Sequence, residues 1–215
     1  MTAPLFFVSA DQLAGAAVGS GLVLDGPEGR HGATVRRIGV GEQVLLTDGL
    51  GGLAEAVVET VGAGELHLRL RAIMQEPEPV SRFVLVQALA KGDRDEQAIE
   101  AATELGVDAV VPFQAARCVV AWQGERGQRA RHRWQGSVRE AAKQARRARV
   151  PEVEPLHDGA RLARRCAASA SALVLHEEAR AALSSAALPD AGEVLVVVGP
   201  EGGLEPAEVA ALEAA

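Results

Sequence analysis

A glycine-rich segment directly after an apolar run is the part of this sequence best suited to bind a small molecule. Val194–Val198 is a continuous run of apolar residues, and Gly199-Pro-Glu-Gly-Gly203 follows it at once. Glycines let backbone amides and carbonyls approach a ligand closely, and Pro200 stiffens the segment. Such a backbone can bind the edge of a flat base such as adenine. A tight strand-to-helix turn, with Pro206 at the first helical position, explains the same glycines about equally well.

Two further segments carry polar residues after apolar runs. His176 follows Ala172–Leu175 and could carry a proton, but a single histidine at a strand end is more often a hydrogen-bonded structural residue. Lys91, in Ala90-Lys-Gly-Asp93, could contact a phosphate, although a solvated loop lysine is the commoner explanation. In open α/β sheets ligands bind beyond the carboxyl ends of strands, so these segments are the candidate site.

The sequence lacks the motifs that several classes of enzyme and binding site require. The sequence has no Gly-x-x-x-x-Gly-Lys-Ser/Thr and no Gly-x-Gly-x-x-Gly after an early strand, which disfavours nucleoside triphosphate and nicotinamide binding. Cys118 and Cys166 form no Cys-x-x-Cys, so we expect reduced, partly buried thiols and no metal site. No catalytic triad or carboxylate pair can be assembled, and group transfer from a bound donor fits better than hydrolysis.

The charge of the chain is unevenly distributed. The net charge is −7, yet nine of the 22 lysines and arginines lie between residues 126 and 149. A basic segment on an acidic protein would orient a polyanion such as RNA at one place, whereas the alternative is a solvated, arginine-rich helix face. The nine residues are Arg126, Arg129, Arg131, Arg133, Arg139, Lys143, Arg146, Arg147 and Arg149.

The hydrophobic pattern divides the chain into two parts. Up to about Ile73, short apolar stretches alternate with turn signals at Asp25-Gly26 and Asp48-Gly49, which predicts a small antiparallel barrel or sheet. In 66–71, leucines alternate with His67, Arg69 and Arg71, as in a half-exposed strand. The proline-rich segment 75–79 is typical of a stiff linker.

After the linker, the pattern predicts an α/β domain with a mostly parallel sheet. The strands are expected at 82–86, 107–113, 172–175 and 194–198, with helices between them. Ser137-x-x-Glu140 predicts a capping box that begins a helix ending before Pro151, and an alanine-rich helix is expected between 160 and 187. The apolar runs are too short to cross a bilayer and residues 1–10 do not resemble a signal peptide, so a cytoplasmic protein is expected.

Taken together, these motifs resemble the RsmE family, the ribosomal RNA small subunit uracil-N3 methyltransferases of the SPOUT superfamily. The resemblance rests on Gly199–Gly203 after a valine strand, Glu104-Leu-Gly-Val107, Arg117 beyond Val110–Phe113, and 144–151 ending in Arg-Val-Pro. In the first part it rests on His31, Val35, Arg37, Gly41-Glu42 and Asp48-Gly49. It extends over essentially the whole chain.

The resemblance implies a SPOUT trefoil-knot methyltransferase domain at 80–215, preceded by a small PUA-like β-barrel RNA-binding domain at 1–73. It also implies S-adenosylmethionine as methyl donor, N3 of one uracil in 16S ribosomal RNA of the small ribosomal subunit as target, a homodimer, and no metal or membrane. It assigns no catalytic residue. The donor pocket would contain Leu175, His176, Gly199, Pro200, Glu201, Gly202 and Gly203; RNA contacts would come from His31, Arg37, Lys91, Arg117, Gln144 and Arg147.

The family pattern continues beyond the helix that follows Leu204 with another strand, an arginine-containing loop and a final helix. That segment would thread the knot and complete the donor pocket, and this chain ends at Ala215 without it. Two other interpretations therefore stay open at this point: a noncatalytic RNA-binding protein, and a SPOUT methyltransferase with another RNA target.

Overall fold

The structure, a computed structural model, describes residues 3–215; Met1 and Thr2 of the amino-terminal stretch discussed above lie outside the described residues. The chain forms two compact units. The first contains the residues up to Glu78 together with Ala142–Val150, and the second contains Pro79–Ala141 and Pro151–Ala215. Within the part of the chain that is described, no helix combines the length and apolar character that crossing a membrane requires.

The first unit is built on a five-stranded mixed sheet in the order β1, β3, β4, β5, β2. The neighbours pair antiparallel except β1 and β3, which are parallel. The prediction of an antiparallel sheet is confirmed for β2 to β5, and β1, a short strand that the pattern did not predict, adds a parallel pair at the edge. The elements are β1 (Leu5–Phe7), α1 (Ala10–Ala14), β2 (Gly21–Leu24), α2 (Gly26–Arg30), a π-helix (His31–Val35), β3 (Gln43–Thr47), β4 (Gly52–Val61) and β5 (Leu66–Gln75).

The alternation predicted in β5 is confirmed. Leu66, Leu68 and Leu70 are buried in the core of the unit, whereas His67 and Arg69 are partly exposed. The two predicted turns differ in outcome. Asp48-Gly49 does lie between β3 and β4, whereas Asp25-Gly26 begins α2, because Pro27 in the first turn favours a helix.

Residues 142–150 are joined to the first unit by backbone and side-chain hydrogen bonds. The amide of Gly51 donates to the carbonyl of Ala148 at 3.0 Å, and the amide of Val150 donates to the carbonyl of Gly49 at 2.9 Å. The buried hydroxyl of Thr47 donates to the same Ala148 carbonyl at 2.9 Å. A segment distant in sequence thus closes the turn between β3 and β4.

The second unit is an α/β structure whose five strands lie in the order β8, β7, β6, β10, β9. Every neighbouring pair is parallel, which confirms the predicted sheet type. Val84, Val111, Leu195 and Val197 form part of its core with Leu162. The elements are β6 (Ser81–Ala88), α3 (Arg94–Leu105), β7 (Ala109–Phe113), α4 (Gly124–Gln144), β8 (Glu152–Val153), α5 (Gly159–Ala168), β9 (Ser171–Leu175), a 3-10 turn (Leu183–Ser185), β10 (Gly192–Val198) and α6 (Pro206–Glu213).

Two helix predictions are wrong. Ser137 lies inside α4, and its hydroxyl donates to the carbonyl of Arg133 at 3.2 Å, so the capping pattern does not begin a helix there. The alanine-rich stretch is helical only as far as Ala168, because β9 takes up the apolar residues that follow. Both cysteines are free thiols, Cys166 buried and Cys118 half-buried, as expected.

Candidate functional site

The parallel sheet of the second unit brings the candidate segments to one edge. Because all five strands run in the same direction, the segments that follow β6, β7, β9 and β10 leave the same edge of the sheet. At this edge lies a cavity of about 300 Å³. Its wall contains all seven residues nominated for a donor pocket, Leu175, His176 and Gly199–Gly203, together with Glu177, Val198 and Leu204.

The segment Gly199–Gly203, here called the glycine loop, has a backbone that side chains would disturb. Gly203 has φ +70°, a conformation that residues with a side chain rarely adopt. A Cβ at Gly199 would lie 3.1 Å from Cγ of buried Leu204. The amide of Gly203 donates to the carbonyl of Pro200 at 2.8 Å, which closes a turn. A side chain at Gly203 would therefore strain the loop, and one at Gly199 would press on Leu204.

One side of the glycine loop is held by the residues between β6 and α3. The amide of Lys91 donates to Oε1 of Glu201 at 3.0 Å, and Nη1 of Arg94 lies 3.3 Å from the same oxygen. Hydrogen bonds from the amides of Glu201 itself and of Lys91, with the nearby charge of Arg94, lower the pKa of the Glu201 carboxyl. Glu201 is therefore an ionised acceptor at neutral pH.

The other side of the loop is held by the segment that follows β7. Nη1 of Arg117 donates to the carbonyl of Gly202 at 3.0 Å. Glu208, in the first turn of α6, accepts from the amide of Ala116 at 2.9 Å and from the amide of Glu205 at 2.9 Å. The end of the glycine loop and the start of α6 are thus fixed to the same segment.

His176 lines the cavity and is itself hydrogen-bonded. Its Nδ1 accepts from the amide of Glu178 at 3.2 Å. A neutral ring that accepts at Nδ1 carries its proton on Nε2, which leaves Nε2–H as a donor. His176 can therefore be a hydrogen-bonded structural residue, as its position at a strand end suggests, and still offer a donor to the cavity.

A second cavity, of about 320 Å³, adjoins the first. The two share His176, Glu177, Gly203 and Leu204, and Arg117 lines only the second. Within the described residues, no cluster of three or more His, Cys, Asp or Glu is placed to hold a metal ion. The two cavities are thus neighbours that share part of their lining, as transfer between two bound molecules requires.

Comparison with known proteins identifies the family. An RNA methyltransferase domain model matches residues 76–215, and an RNA methyltransferase PUA domain model matches residues 24–71. Ribosomal RNA small subunit methyltransferase E of Mycobacterium tuberculosis is 47% identical over 99% of this chain and 81% of its own length. The chain belongs to the ribosomal RNA small subunit methyltransferase E family. The Bacillus subtilis member is 32% identical over 86% of this chain and 76% of its own length.

Solved structures of similar proteins share the fold of this family member. A ribosomal RNA small subunit methyltransferase E from Neisseria gonorrhoeae, bound to S-adenosyl methionine, has a TM-score of 0.83 and 24% identity, with 99% of this chain and 86% of that chain covered. A putative methyltransferase from Legionella pneumophila, also in complex with S-adenosyl methionine, has a TM-score of 0.82 and 24% identity, covering 100% and 86%. The predicted order of a PUA-like domain followed by an RNA methyltransferase domain agrees with the two family models.

The six residues nominated for RNA contact are divided between the units. Lys91 and Arg117 lie in the second, beside the glycine loop, and the other four belong to the first. His31 begins the π-helix, with its ring edge-on to Phe6 at 6.2 Å, and Arg37 has φ 54°, in the left-handed region. Gln144 ends α4 and is exposed, whereas Arg147 is half-buried. RNA contact by these residues stays a prediction.

Much of the basic segment makes contacts within the protein. Lys143 pairs with Glu28 at 2.7 Å, and Arg149 pairs with Glu78 at 2.8 Å. Arg131 donates from Nη2 to the carbonyl of Val153 at 2.6 Å. On the exposed side of α4, Arg129 pairs with Glu125 at 3.3 Å and Arg133 pairs with Glu96 at 3.5 Å. These contacts support the structural interpretation for much of the segment.

Sequence reasoning missed several residues of the site. Val198, Leu204 and Glu177 line the cavity and could have been found, because each is adjacent to a nominated residue. Arg94 could not, since its contact with Glu201 joins positions that are distant in sequence.

Proposed function

We propose that this protein transfers a methyl group from S-adenosylmethionine to N3 of one uracil in 16S ribosomal RNA of the small ribosomal subunit. The observation that carries the proposal is the glycine loop, Gly199–Gly203, forming the wall of a cavity at the carboxyl edge of a parallel sheet in a chain of this family. Relatives at 47% and 32% identity are named ribosomal RNA small subunit methyltransferase E.

The residues around the cavity fit the donor chemically. An adenosyl group needs a slot with apolar sides and backbone donors and acceptors at its edge, which Leu175, Val198 and the glycine loop can supply. S-adenosylmethionine carries no phosphate, which fits the lack of a phosphate-binding motif. When bound, it supplies an electrophilic methyl group on a sulfonium. Leu175, His176 and Gly199–Gly203 would hold it largely through backbone atoms.

The acceptor position dictates what the protein must do for the RNA. Uracil N3 lies on the pairing edge and carries a proton, so the base must be unpaired or flipped out before the methyl group can reach it. A cation near the uracil oxygens stabilises the anion that forms when N3 loses its proton. Arginine suits that role because its charge persists and its donors are planar, and Arg117, which lines the second cavity, is a candidate for it.

We further infer how the domains divide the work, where the protein acts and that it forms a dimer. Residues 1–73 form a PUA-like domain that binds RNA through His31 and Arg37, and residues 80–215 form the methyltransferase domain, with Lys91 and Arg117 as RNA contacts. Gln144 and Arg147 contact RNA as well. The protein acts in the cytoplasm as a homodimer, and its methyltransferase domain has the SPOUT fold, whose trefoil knot is threaded in the family by a further carboxyl-terminal segment. A noncatalytic RNA-binding role is not favoured, because the relatives are named methyltransferases.

The test is donor binding followed by methylation. Titration calorimetry measures S-adenosylmethionine binding to the wild type, to Gly199→Val, whose side chain must displace Leu204, and to Gly136→Ala, where an added Cβ meets nothing within 4 Å. We expect binding by the wild type and Gly136→Ala and loss in Gly199→Val. Small subunits lacking the modification are then methylated in vitro, and reverse transcription maps the product, since N3-methyluracil blocks pairing. Absence of donor binding both by this chain and by a version extended to the natural stop codon would contradict the proposal, and a stop at another base would change the target.

A further inference from the structure

The glycine loop has one side chain with which it can hydrogen-bond. Gly199, Pro200, Gly202 and Gly203 have no polar side-chain atom, so any side-chain hydrogen bond from the loop must involve Glu201. Glycine-rich backbone loses more conformational entropy on ordering than any other. Contacts from Glu201 therefore have a large share in determining whether the loop keeps one conformation.

The Glu201 carboxylate makes its contacts with a neighbouring loop. Its Oε1 accepts from the backbone amide of Lys91 at 3.0 Å and lies 3.3 Å from Nη1 of Arg94. The side chain of Arg94 is 71% exposed, so this ion pair contributes little, whereas the Lys91 amide is a directed donor. The main contact of Glu201 is consequently with main chain, which no substitution of Lys91 removes.

The loop that receives Glu201 is itself fixed. The buried carboxylate of Asp95 accepts from the amide of Ala90 at 3.3 Å and from the amide of Glu96 at 2.9 Å. The amide of Leu89 donates to the carbonyl of Phe113 at 3.0 Å. Residues 89–91 are thus anchored both to α3 and to β7, and they form a firm support.

We propose that Glu201 is a positioning residue whose carboxylate holds the glycine loop against the support at residues 89–91 and thereby sets the affinity for the methyl donor. This inference rests on the proposed function, because the donor is the ligand whose affinity is measured. Glu201 acts through the backbone that it positions.

The first test compares Glu201→Ala and Glu201→Gln with the wild type by calorimetric titration with S-adenosylmethionine and by donor KM and kcat. Glutamine keeps an oxygen that accepts from the Lys91 amide, whereas alanine removes it. We expect Glu201→Ala to raise the donor Kd and KM about three- to tenfold with kcat at saturating donor nearly unchanged, and Glu201→Gln to restore most of the affinity. Glu104→Gln removes the same charge at an exposed position of α3 and serves as the matched control.

Lys91→Ala separates positioning from RNA contact. It leaves the backbone amide in place, so donor affinity is expected to stay at the wild-type value. Equal donor affinity of Glu201→Ala and the wild type would overturn the inference. A loss in Glu201→Gln as large as that in Glu201→Ala would also overturn it, because the charge and not the hydrogen bond would then matter. Lack of donor binding by the wild type, both as this chain and extended to the natural stop codon, would instead contradict the proposed function.

A second test needs no donor. Hydrogen exchange of the ligand-free protein, followed by mass spectrometry, reports the order of residues 199–203 directly. We expect faster exchange there in Glu201→Ala than in the wild type, with Glu201→Gln and Glu104→Gln close to the wild type. An unchanged exchange rate at residues 199–203 would contradict the positioning role, whatever the ligand.

Discussion

Arg117 can both contact RNA and hold the glycine loop. The sequence predicts contact with RNA, and the structure gives its guanidinium a partner in the same unit, the carbonyl of Gly202 at 3.0 Å. A planar guanidinium has five donors, so a bond to one carbonyl leaves others for a base or a phosphate. The two roles predict different kinetic effects and can be separated.

Arg117→Ala is expected to raise the donor KM about three- to tenfold, because the glycine loop loses the hydrogen bond to Gly202. Arg117→Lys, with a single ammonium in place of the fork, is expected to lie between the alanine variant and the wild type. Steady-state methylation with separately varied donor and RNA measures both KM values. Arg180→Ala removes an exposed arginine of the same unit as a control. An unchanged donor KM with a raised RNA KM would assign Arg117 to RNA alone.

His157 gives the stability of the protein a dependence on pH. It is buried, its Nδ1–H donates to the carbonyl of Pro155 at 2.8 Å, and burial lowers its pKa against the opposing effect of that hydrogen bond. The folded state therefore disfavours the protonated ring, whereas the unfolded chain takes up a proton as the pH falls below about 6.5. The contribution of His157 to stability is present above that pH and is lost below it.

His157→Asn removes this titration and keeps a donor for the Pro155 carbonyl. We expect the free energy of unfolding to fall less between pH 7 and pH 5 in the variant than in the wild type, by at most about 1.4 kcal/mol per pH unit. Urea unfolding at a series of pH values measures both slopes. Equal slopes would show that the imidazole is accommodated in its charged form.

At the scale of elements, apolar runs and a proline predicted strands and a helix correctly. The capping pattern failed, because the same residues also occur inside helices. The apolar runs of β9 and β10 and the proline of α6 predict these elements and the loop between them, because each signal lies within a few neighbouring residues. Ser137-x-x-Glu140 failed because a capping box is informative only where a helix begins, and α4 begins at Gly124. Helix boundaries depend on the residues upstream as well as on the motif.

The end of α4 offers a stabilising substitution. Arg146 has φ 55°, and the amide of Arg147 donates to the carbonyl of Ala142 at 2.9 Å. Helices often end in this way, and glycine usually occupies the left-handed position that Arg146 has here. The left-handed conformation costs arginine about 1–2 kcal/mol. Glycine avoids this cost but lowers stability by about 0.5–1 kcal/mol, because it increases the conformational entropy of the unfolded chain. Arg146→Gly is therefore expected to raise the free energy of unfolding by about 0.5–1 kcal/mol.

Urea unfolding of Arg146→Gly beside Gln135→Gly tests this sign. Gln135 is exposed within α4, where glycine is expected to lower the free energy of unfolding by about 1 kcal/mol. Two substitutions to the same residue then shift stability in opposite directions. A loss in Arg146→Gly would show that the arginine side chain stabilises the native state by more than the strain costs.

At the scale of the molecule, the sequence predicts that the chain forms two units. It does not predict that a segment from the second half of the chain belongs to the first unit. The change from glycine-broken stretches to compact apolar runs marks the passage from one unit to the other, because the two sheet types bury their strands differently. Nothing in Ala142–Val150 itself indicates that it joins the first unit. Its partners, at residues 47–51, are distant in sequence, and contacts of that kind leave no local pattern. The same holds for Glu201 and Lys91 at the candidate site.

Thr47→Val tests the contribution of this segment to stability. The buried hydroxyl donates to the carbonyl of Ala148 and accepts from the amide of Gly49, both at 2.9 Å. Valine has the same shape and leaves the Gly49 amide without that acceptor, so the free energy of unfolding is expected to fall by about 1–3 kcal/mol. Thermal unfolding measures the change, and Thr60→Val, at an exposed position of β4, is expected to stay within about 0.5 kcal/mol. Equal stability of the two variants would show that the Thr47 hydroxyl adds nothing to that contact.

The discontinuous first unit also has a consequence during translation. Gly51 and Thr47 leave the ribosome long before Ala148, the residue whose carbonyl they both bind. At about 5–20 residues per second, the roughly 100 intervening residues take about 5–20 s to synthesise. The nascent chain must therefore carry an open turn between β3 and β4 for seconds. During that time β6 and β7 of the second unit are synthesised, whereas β8, β9 and β10 come after Ala148. A ribosome paused before residue 148 would expose that turn to proteases, and one paused far enough beyond residue 150 for the segment to emerge would protect it.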